Sequence, residues 1–263
     1  MKKVLSIAGS DSSGGAGIQA DLKTILSHKM YGMTAITALT AQNTTGVYGI
    51  STVTPDFLAN QLDCIFDDIY PDAVKIGMVS DPALIDVIVE KLTQYEAKNI
   101  VVDPVMVATS GSALSTDDSV KALVHKLIPM ADVITPNLSE TGVLCQMAVD
   151  SDEKMLAAAK KIEEFYQGYI LIKGGHSKEN ANDLLVKGED HWWIPGRRID
   201  NSNTHGTGCT LSSAIACNLA AGYDMVTAVT NAKSYITGAI GAGLDLGKGG
   251  GPLDHGYWLQ IQK

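Results

Sequence analysis

Short apolar runs alternate with helix-length amphipathic segments, and this alternation constrains the fold more than any other feature of the chain. The apolar runs predict buried strands: KVLSIAG, MTAITALT, AVKIGM, NIVVDPVM, DVITPN and YILIKGG. The amphipathic segments predict helices: GIQADLKTILSH, PDFLANQLDCIFDDI, PALIDVIVEKLTQYEA, DDSVKALVHKLI and DEKMLAAAKKIEEFY. Strand–helix–strand units of this kind give a parallel sheet with helices on both faces. We therefore predict a single α/β domain over residues 1–263.

The last third of the chain departs from this alternation. DLLVKG followed by HWWI predicts a two-stranded surface hairpin, and residues 183–194 are a candidate cover for a binding site. LSSAIACNLAAG and MVTAVTNAKSYITGAIGAG predict two helices. Neither a linker nor an internal repeat separates these segments from the rest.

The residues that follow each predicted strand are the candidates for chemistry, because open α/β sheets bind ligands beyond the carboxyl ends of their strands. After the first strand the chain reads AGSDSSGGAG, and residues 15–20 match the G-x-G-x-x-A dinucleotide fingerprint. That fingerprint also needs an acidic residue about twenty positions later, and none occurs between Asp21 and Asp56. The Walker A pattern is absent too. Two interpretations stay open: a loop whose backbone approaches a substrate, and a tight strand-to-helix turn.

A second glycine element, NTHGTGCT, occupies residues 203–210 directly before a predicted helix. Unpaired N–H groups and the positive end of the helix dipole favour anions at such a start, and glycines expose these donors. Cys209 falls in the first turn, where the dipole is expected to lower the pKa of its thiol toward neutrality. We favour an anion site with a reactive thiol over the simpler interpretation, a buried cysteine after a glycine-rich turn.

Polar residues at other predicted strand ends have structural as well as functional interpretations. Asn137 and Glu140 in TPNLSE have the spacing of a capping box. Lys173 has two interpretations, a phosphate-binding ammonium and a surface lysine. Asp103 also has two, a magnesium ligand and a cap. Two histidines stand beside glycines, where isolated histidines are more often structural: His176 and His205.

The cysteines exclude two classes of site. None of the four forms a C-x-x-C pair, which argues against a zinc ribbon and a thioredoxin-type motif. Cys64, Cys145 and Cys217 fall at apolar helical positions and are expected in the core. Free thiols are typical of a reducing cytoplasm.

The charge and hydropathy of the chain narrow its partners. A formal net charge of −9 makes nucleic acid an unexpected partner, because phosphate backbones bind basic faces. No apolar run is long enough to span a bilayer, and the N-terminal stretch lacks the features of a signal peptide. We expect a cytoplasmic protein that binds a small molecule, with neither nucleic acid nor membrane as a partner.

Taken in order, the strand-end blocks resemble the ribokinase-like superfamily and, within it, the hydroxymethylpyrimidine/phosphomethylpyrimidine kinases of thiamine biosynthesis. The similar blocks cover nearly the whole chain: AGSDSSGGAGIQADLKT, TALTAQNTTGV, KIGM, VVDPVM, ITPNLSE, IKGGH and NTHGTGCTLSSAIA. The resemblance implies a three-layer α/β/α sandwich with a mostly parallel sheet. It also implies phosphate transfer from MgATP to a hydroxymethyl group and then to the resulting phosphate, and a homodimer is the expected assembly.

The resemblance also implies roles for individual residues. Those expected to line the pyrimidine pocket are Gly9, Asp21, Gln42, Met78, Val105 and Cys209. Those expected to face ATP are Asn137, Lys173, Thr204 and Lys233, with Glu140 at the magnesium ion. Gly206, Thr207 and Gly208 would form the anion hole.

The chain departs from the wider superfamily at the catalytic turn. Most members carry Asp in a G-A-G-D turn, whereas this chain has Cys209 after Gly208, as the pyrimidine kinases and the related pyridoxal kinases do. A thiolate with a lowered pKa would serve as the general base.

The nearest competing function is that of a pyridoxal kinase, which shares the fold and the cysteine turn. Gln42 favours the pyrimidine, because pyridoxal-preferring relatives tend to differ at this position. Two functions of other classes are less favoured. The intact set of Cys209, Lys173, Asn137 and Glu140 argues against a non-catalytic vitamin-binding protein on the same scaffold, and the missing C-x-x-C spacing argues against a redox protein that uses the thiol.

Overall fold

The computed structural model describes residues 1–106, 116–175 and 181–259. Its strands are β1 (Lys3–Ala8), β2 (Tyr31–Ile36), β3 (Ala38–Asn43), β4 (Gly46–Thr52), β5 (Ala73–Ile76), β6 (Ile100–Val102), β7 (Val133–Ile134), β8 (Tyr169–Ile172), β9 (Asp183–Lys187) and β10 (Asp190–Ile194). Its helices are α1 (Gly17–Ser27), α2 (Pro55–Asp68), α3 (Pro82–Gln94), α4 (Asp117–Ala122), α5 (Leu138–Cys145), α6 (Asp152–Glu163), α7 (Thr207–Ala221) and α8 (Met225–Gly241). The chain continues from α4 through a π-helical turn, Leu123–Leu127, and a 3-10 turn, Ile128–Met130.

An eight-stranded sheet forms the middle layer, in the order β10-β9-β8-β7-β6-β5-β1-β2. The strands from β2 to β8 pair in parallel, and β9 and β10 extend the sheet in antiparallel fashion. Parallel neighbours need crossover connections, which the helices supply. The mostly parallel sheet predicted from the alternation of segments is therefore confirmed.

Both faces of the sheet are buried, which explains why its strands read as unbroken apolar runs. Neighbouring residues of a strand point to opposite faces. Leu5 packs in an apolar cluster with α2, α3 and α6, whereas Val4 packs in a second cluster with α7 and α8. The three layers implied by the resemblance are thus present.

Helix starts follow the local rules of capping. The Thr54 hydroxyl accepts from the Phe57 amide before α2, and the Asp81 carboxylate accepts from the Ala83 amide before α3. Proline occupies the first turn of both helices, where its missing N–H costs no hydrogen bond. The predicted starts of these two helices are confirmed.

The predicted surface hairpin over residues 183–194 is wrong in its placement. Strands β9 and β10 complete the central sheet, and residues Asp183–Val186 of β9 are buried. Leu184 packs on one face of the sheet and Leu185 on the other. An apolar residue on each face is the mark of an interior strand, so this segment is not a mobile cover.

The predicted strand MTAITALT is not continuous: Thr37 divides it into β2 and β3. The Thr37 hydroxyl donates to the Met78 carbonyl oxygen at 2.8 Å, and its amide donates to the Ala8 carbonyl oxygen at 3.0 Å. Strand β3 then leaves the sheet and pairs with β4 as a separate two-stranded ribbon. This ribbon, rather than β9–β10, is the part that projects from the main sheet.

Two further expectations about exposure can be compared with the structure. Cys145 and Cys217 are buried as predicted, but Cys64 is exposed, because α2 buries Leu58, Leu62 and Phe66 instead. In the described part of the chain, no helix combines the length and the hydropathy that a bilayer crossing requires.

A buried ion pair joins the sheet to two helices. Lys75 on β5 places its Nζ 3.0 and 2.8 Å from the two carboxylate oxygens of Asp21 on α1, and both side chains are fully shielded from solvent. The hydroxyls of Ser6 on β1 and Ser213 on α7 donate to the same carboxylate at 2.5 and 2.7 Å. Burial alone would lower the pKa of Lys75, but the Asp21 carboxylate outweighs it and raises that pKa.

We predict that Lys75→Met lowers the free energy of unfolding by about 3–5 kcal/mol, because it leaves Asp21 buried without a counter-ion. Adding Asp21→Asn removes that charge and should recover at least half of the loss. Urea denaturation measures both.

Lys126→Met is the matched control. It breaks the exposed Lys126–Asp86 pair, whose atoms lie 2.6 Å apart, and should cost less than about 1 kcal/mol. A Lys75→Met protein as stable as this control would contradict the prediction.

Candidate active site

A cavity of about 720 Å³ opens at the carboxyl ends of the parallel strands, between the sheet and the start of α7. This volume is in the range of small-molecule sites. Its walls come from the loops after β1, β5 and β6, from ribbon strand β3, and from the starts of α5 and α7. The cavity therefore lies where the strand-end blocks predicted it.

The start of α7 provides an anion-binding wall. Gly206 caps the helix with a φ of +83°, and Thr207, Gly208 and Cys209 form its first turn. A Cβ on Gly206 would collide with the Gly15 carbonyl oxygen, so glycine is required here by space as well as by φ. The first N–H groups of a helix have no intrahelical acceptor, and these residues line the cavity.

A charged cluster faces the same helix start. The Nζ atom of Lys173 lies 2.8 Å from Oδ1 of Asp103, which also accepts from the Thr135 hydroxyl at 3.1 Å. A Cβ on Gly208 would lie 3.2 Å from Asp103 Oδ2 and 3.3 Å from Lys173 Nζ. Glycine at position 208 thus lets this ion pair approach the helix end closely.

Asn137 and Glu140 have both of the roles that their spacing left open. The Glu140 carboxylate accepts from the Asn137 amide at 2.8 Å, and the Asn137 side chain accepts from the Glu140 amide at 2.9 Å, which completes a capping box at the start of α5. Both residues also line the cavity. Burial raises the pKa of Glu140 to about 7, with Lys173 opposing and Asp103 reinforcing the rise.

The structure contradicts the predicted lowering of the Cys209 pKa. The thiol lies in the first turn of α7 as predicted, but its pKa is raised to about 11. Burial is the largest cause; Lys75 opposes it, and the carboxylates of Asp21 and Asp103 raise the pKa further. With a pKa of about 11, Cys209 is a protonated thiol at neutral pH in the free protein.

Five of the six residues expected around the pyrimidine line the cavity: Gly9, Gln42, Met78, Val105 and Cys209. Gly9 has no side chain, and this lets the Met78 methyl group come against it. Asp21 is fully buried and is not among the residues that line the cavity; the side-chain hydrogen bonds described for it are with Lys75 and the two serines of the buried ion pair. The expectation that Asp21 lines the pocket is therefore wrong.

Two residues expected to face ATP lie farther along the cavity wall. Thr204 is exposed there, two residues before the cap of α7. Lys233 on α8 places its Nζ 2.7 Å from Asp183 Oδ2 and 2.7 Å from the Ala181 carbonyl oxygen. Burial raises the pKa of Asp183 against the effect of Lys233.

One pair of functional candidates did not emerge from the sequence: Asp11 was not among the predicted site residues, and His205 was given a structural interpretation. Nε2 of His205 lies 2.8 Å from Oδ2 of Asp11, and both residues line the cavity. Asp11 follows β1 and His205 precedes α7, so only the topology brings them together. His176 lies outside the described residues.

Comparison with known proteins agrees with this geometry. A family model described as phosphomethylpyrimidine kinase matches residues 11–254. The chain belongs to the phosphomethylpyrimidine kinase family. A hydroxymethylpyrimidine/phosphomethylpyrimidine kinase of Rhizobium meliloti is 48% identical over 255 residues, which are 95% of this chain and 96% of that relative.

Solved structures of the family and of pyridoxal kinases share the fold. Phosphomethylpyrimidine kinase from Clostridium difficile superposes with a TM-score of 0.82 at 42% identity, covering 91% of this chain and 100% of that one. An ADP complex of Bacillus subtilis pyridoxal kinase superposes with a TM-score of 0.89 at 39% identity and covers 97% of both chains. The ribokinase-like architecture predicted from the resemblance is thereby confirmed.

The raised pKa of Cys209 predicts how this thiol reacts. Because alkylation proceeds through the thiolate, its rate at Cys209 should rise about tenfold per pH unit from pH 7 to pH 10. Peptide mass spectrometry after timed iodoacetamide treatment measures the rate. Cys64→Ser serves as the background, since Cys64 is exposed whereas Cys209 is half-buried. A rate that levels off by pH 8 would contradict the raised pKa.

Proposed function

We propose that the protein is an ATP-dependent kinase. It phosphorylates 4-amino-5-hydroxymethyl-2-methylpyrimidine and then the monophosphate, giving the diphosphate used in thiamine biosynthesis. The observation that carries the proposal is one cavity that joins an amide-and-apolar end at Gln42 to an anion-binding end at Gly208 and Lys173. The names of the family relatives support the same reaction.

The pyrimidine is held at the end of the cavity near the ribbon. A carboxamide offers a donor and an acceptor together, which matches the edge of an aminopyrimidine, and Gln42 provides it. Met78 and Val105 are apolar contacts for the ring, and Gly9 leaves room for it. The hydroxymethyl group then points toward Cys209.

The phosphates of ATP are held at the other end. The N–H groups of Gly206, Thr207 and Gly208 and the Lys173 ammonium are donors already in place for the charge that spreads over the transferred group. Asn137, Thr204 and Lys233 lie along the wall that leads away from this point and are assigned to the nucleotide.

The donor set fits a magnesium ion that arrives with the nucleotide. Magnesium is usually bound by one or two carboxylates together with substrate phosphates and water. Among the described residues, no group of three His, Cys, Asp or Glu side chains could hold a metal ion alone. Glu140 is the carboxylate that would hold it, and a bound ion would neutralise charge on the phosphoryl oxygens.

In the first transfer the substrate hydroxyl oxygen bonds to the γ-phosphorus as the bond to the bridging oxygen of ADP breaks. The hydroxyl proton passes to the Cys209 thiolate, which forms when the thiol releases its proton to solvent water and is the minor form at neutral pH, because its pKa in the free protein is about 11. In the second transfer the nucleophile is a phosphate oxygen without a proton to remove.

A pyridoxal kinase is the second candidate, favoured by the close superposition on the pyridoxal kinase of Bacillus subtilis. The two activities share the anion-binding end of the site and differ in the group that the ring presents. Gln42 favours the aminopyrimidine for the reason given above.

We predict that ATP consumption with the aminopyrimidine alcohol and with its monophosphate exceeds that with pyridoxal by at least about tenfold in kcat/KM, because the carboxamide pairs with the aminopyrimidine edge. ADP release measured side by side on the three substrates tests this. Turnover of pyridoxal alone would replace the first candidate by the second.

Cys209→Ala sharpens the same measurement, since both transfers use one site but only the first releases a hydroxyl proton. It should reduce the first transfer much more than the second. Equal losses in both would argue for a positioning role of the thiol and against a base.

We place the protein in the cytoplasm, where the four free cysteines would stay reduced. We also infer that it forms a homodimer through the ribbon β3–β4. Large apolar side chains of the ribbon and of the following helix are exposed: Leu39, Tyr48, Ile50 and Phe57. Exposed apolar patches of this kind are typical of interfaces.

The double substitution Tyr48→Asp/Ile50→Lys should convert the dimer to a monomer, because it places charges in that interface. Light scattering after size-exclusion chromatography measures the mass. Val143→Lys, at an equally exposed apolar residue on α5, is the control and should remain a dimer. A monomeric unmodified protein would overturn the inference.

A further inference from the structure

The Asp11 carboxylate is the most heavily hydrogen-bonded acceptor at the mouth of the site. Oδ1 accepts from the Ser13 amide at 2.9 Å and the Ser13 hydroxyl at 2.7 Å. Oδ2 accepts from the amides of Gly15 at 3.1 Å and Ala16 at 2.8 Å, and faces His205 Nε2 at 2.8 Å. Burial alone would raise the pKa of Asp11, but these hydrogen bonds lower it to about 2. Asp11 is thus ionised and acts only as an acceptor.

The ionised state of Asp11 determines which ring nitrogen of His205 carries a hydrogen. An ionised carboxylate has no hydrogen to donate, so Nε2 of His205 carries the hydrogen and donates it to Asp11. The same nitrogen lies 3.3 Å from the amide nitrogen of Gln42. A nitrogen that carries a hydrogen and an amide nitrogen are both donors, and they oppose each other in that arrangement.

The oxygen of the Gln42 amide faces a hydroxyl group whose hydrogen is already donated elsewhere. Its Oε1 lies 3.3 Å from the Thr40 hydroxyl oxygen, and that hydroxyl donates its hydrogen to the Ser10 carbonyl oxygen at the shorter distance of 2.8 Å. Thr40 therefore offers the amide an acceptor, not a donor. The backbone of Gln42 is held on both sides by Ser12, so the side chain, and not the main chain, is the part that can reorient.

We propose that Asp11 and His205 are positioning residues that hold the Gln42 amide with Oε1 toward His205 and its nitrogen toward Thr40. Turning the amide by 180° exchanges its oxygen and nitrogen and satisfies both neighbours at once. The single N–H of His205 is then shared between Asp11 Oδ2 and Gln42 Oε1, and Thr40 accepts from one N–H of the amide. One acceptor and one donor remain for a substrate.

The inference rests on the proposed function and deepens it by naming what the site selects. The free lone pair of Oε1 accepts from an exocyclic amine, and the free N–H donates to the neighbouring ring nitrogen. A 4-oxo pyrimidine presents the reverse pattern, with an acceptor at C4 and an N–H beside it. An amide that Asp11 and His205 prevent from turning therefore rejects the 4-oxo compound.

The test compares kcat/KM for the 4-amino alcohol with kcat/KM for its 4-oxo analogue. Wild type should prefer the amino compound strongly. Asp11→Asn, which frees His205 from a fixed donor role, should reduce that ratio by at least about tenfold. His205→Phe keeps a ring but removes the donor and should do the same, so a poorly folded Asp11→Asn protein does not decide the matter.

Ser13→Ala is the matched control. It removes one hydrogen bond to Asp11 Oδ1 without touching His205 or Gln42, so it should keep the wild-type ratio. In a Gln42→Leu background the ratio should no longer respond to Asp11→Asn. Thermal unfolding checks that each variant is folded.

The outcomes separate the inference from the function on which it rests. A selective wild type whose ratio survives both Asp11→Asn and His205→Phe overturns the inference alone. A ratio that still responds in the Gln42→Leu background overturns it as well, since the effect then does not pass through the amide. A wild type that phosphorylates neither pyrimidine overturns the proposed function, and the inference with it.

Discussion

The ion pair between Lys75 and Asp21 is the interaction on which the site depends. It ties strand β5 to helix α1, and Ser6 and Ser213 extend it to β1 and α7. Two charges without solvent persist only where geometry and hydrogen bonds are complete, so the four elements keep one relative position. Cys209 lies close enough to this pair to feel both charges: Lys75 lowers its pKa and Asp21 raises it, while burial is the largest cause of the raised value.

The two glycine-rich loops are separate in sequence and meet in space. Gly15 and Gly206 approach so closely that a side chain on Gly206 would enter the Gly15 carbonyl group. The first loop carries Asp11 and the second carries His205, so this contact also brings those side chains within 2.8 Å. One steric constraint therefore sets both the anion-binding end and the substrate end of the cavity.

Much of the architecture follows from local rules, and what does not has a physical reason. Apolar runs gave the parallel strands, and the capping signals gave the starts of α2 and α3. The position of β9 depends on neighbours that a linear pattern does not reveal, and the same holds for the division at Thr37. The strand-end blocks located the cavity, but a dipole argument for Cys209 could not anticipate the buried carboxylates around it. Asp21 looked like a pocket residue because its partner Lys75 is far away in sequence.

The antiparallel pair β9–β10 has a consequence for how the protein behaves at high concentration. A parallel array that stopped at β8 would present a long apolar edge, able to recruit strands from other molecules. Strand β10 ends the sheet with polar, exposed Asp190 and His191; β9 ends at exposed Lys187, and the turn between the two strands carries exposed Glu189. Charges at an edge disfavour continued strand addition. The exposed charged residues at the β9–β10 end of the sheet, rather than the reversal of direction, thus oppose the addition of strands from other molecules along this side.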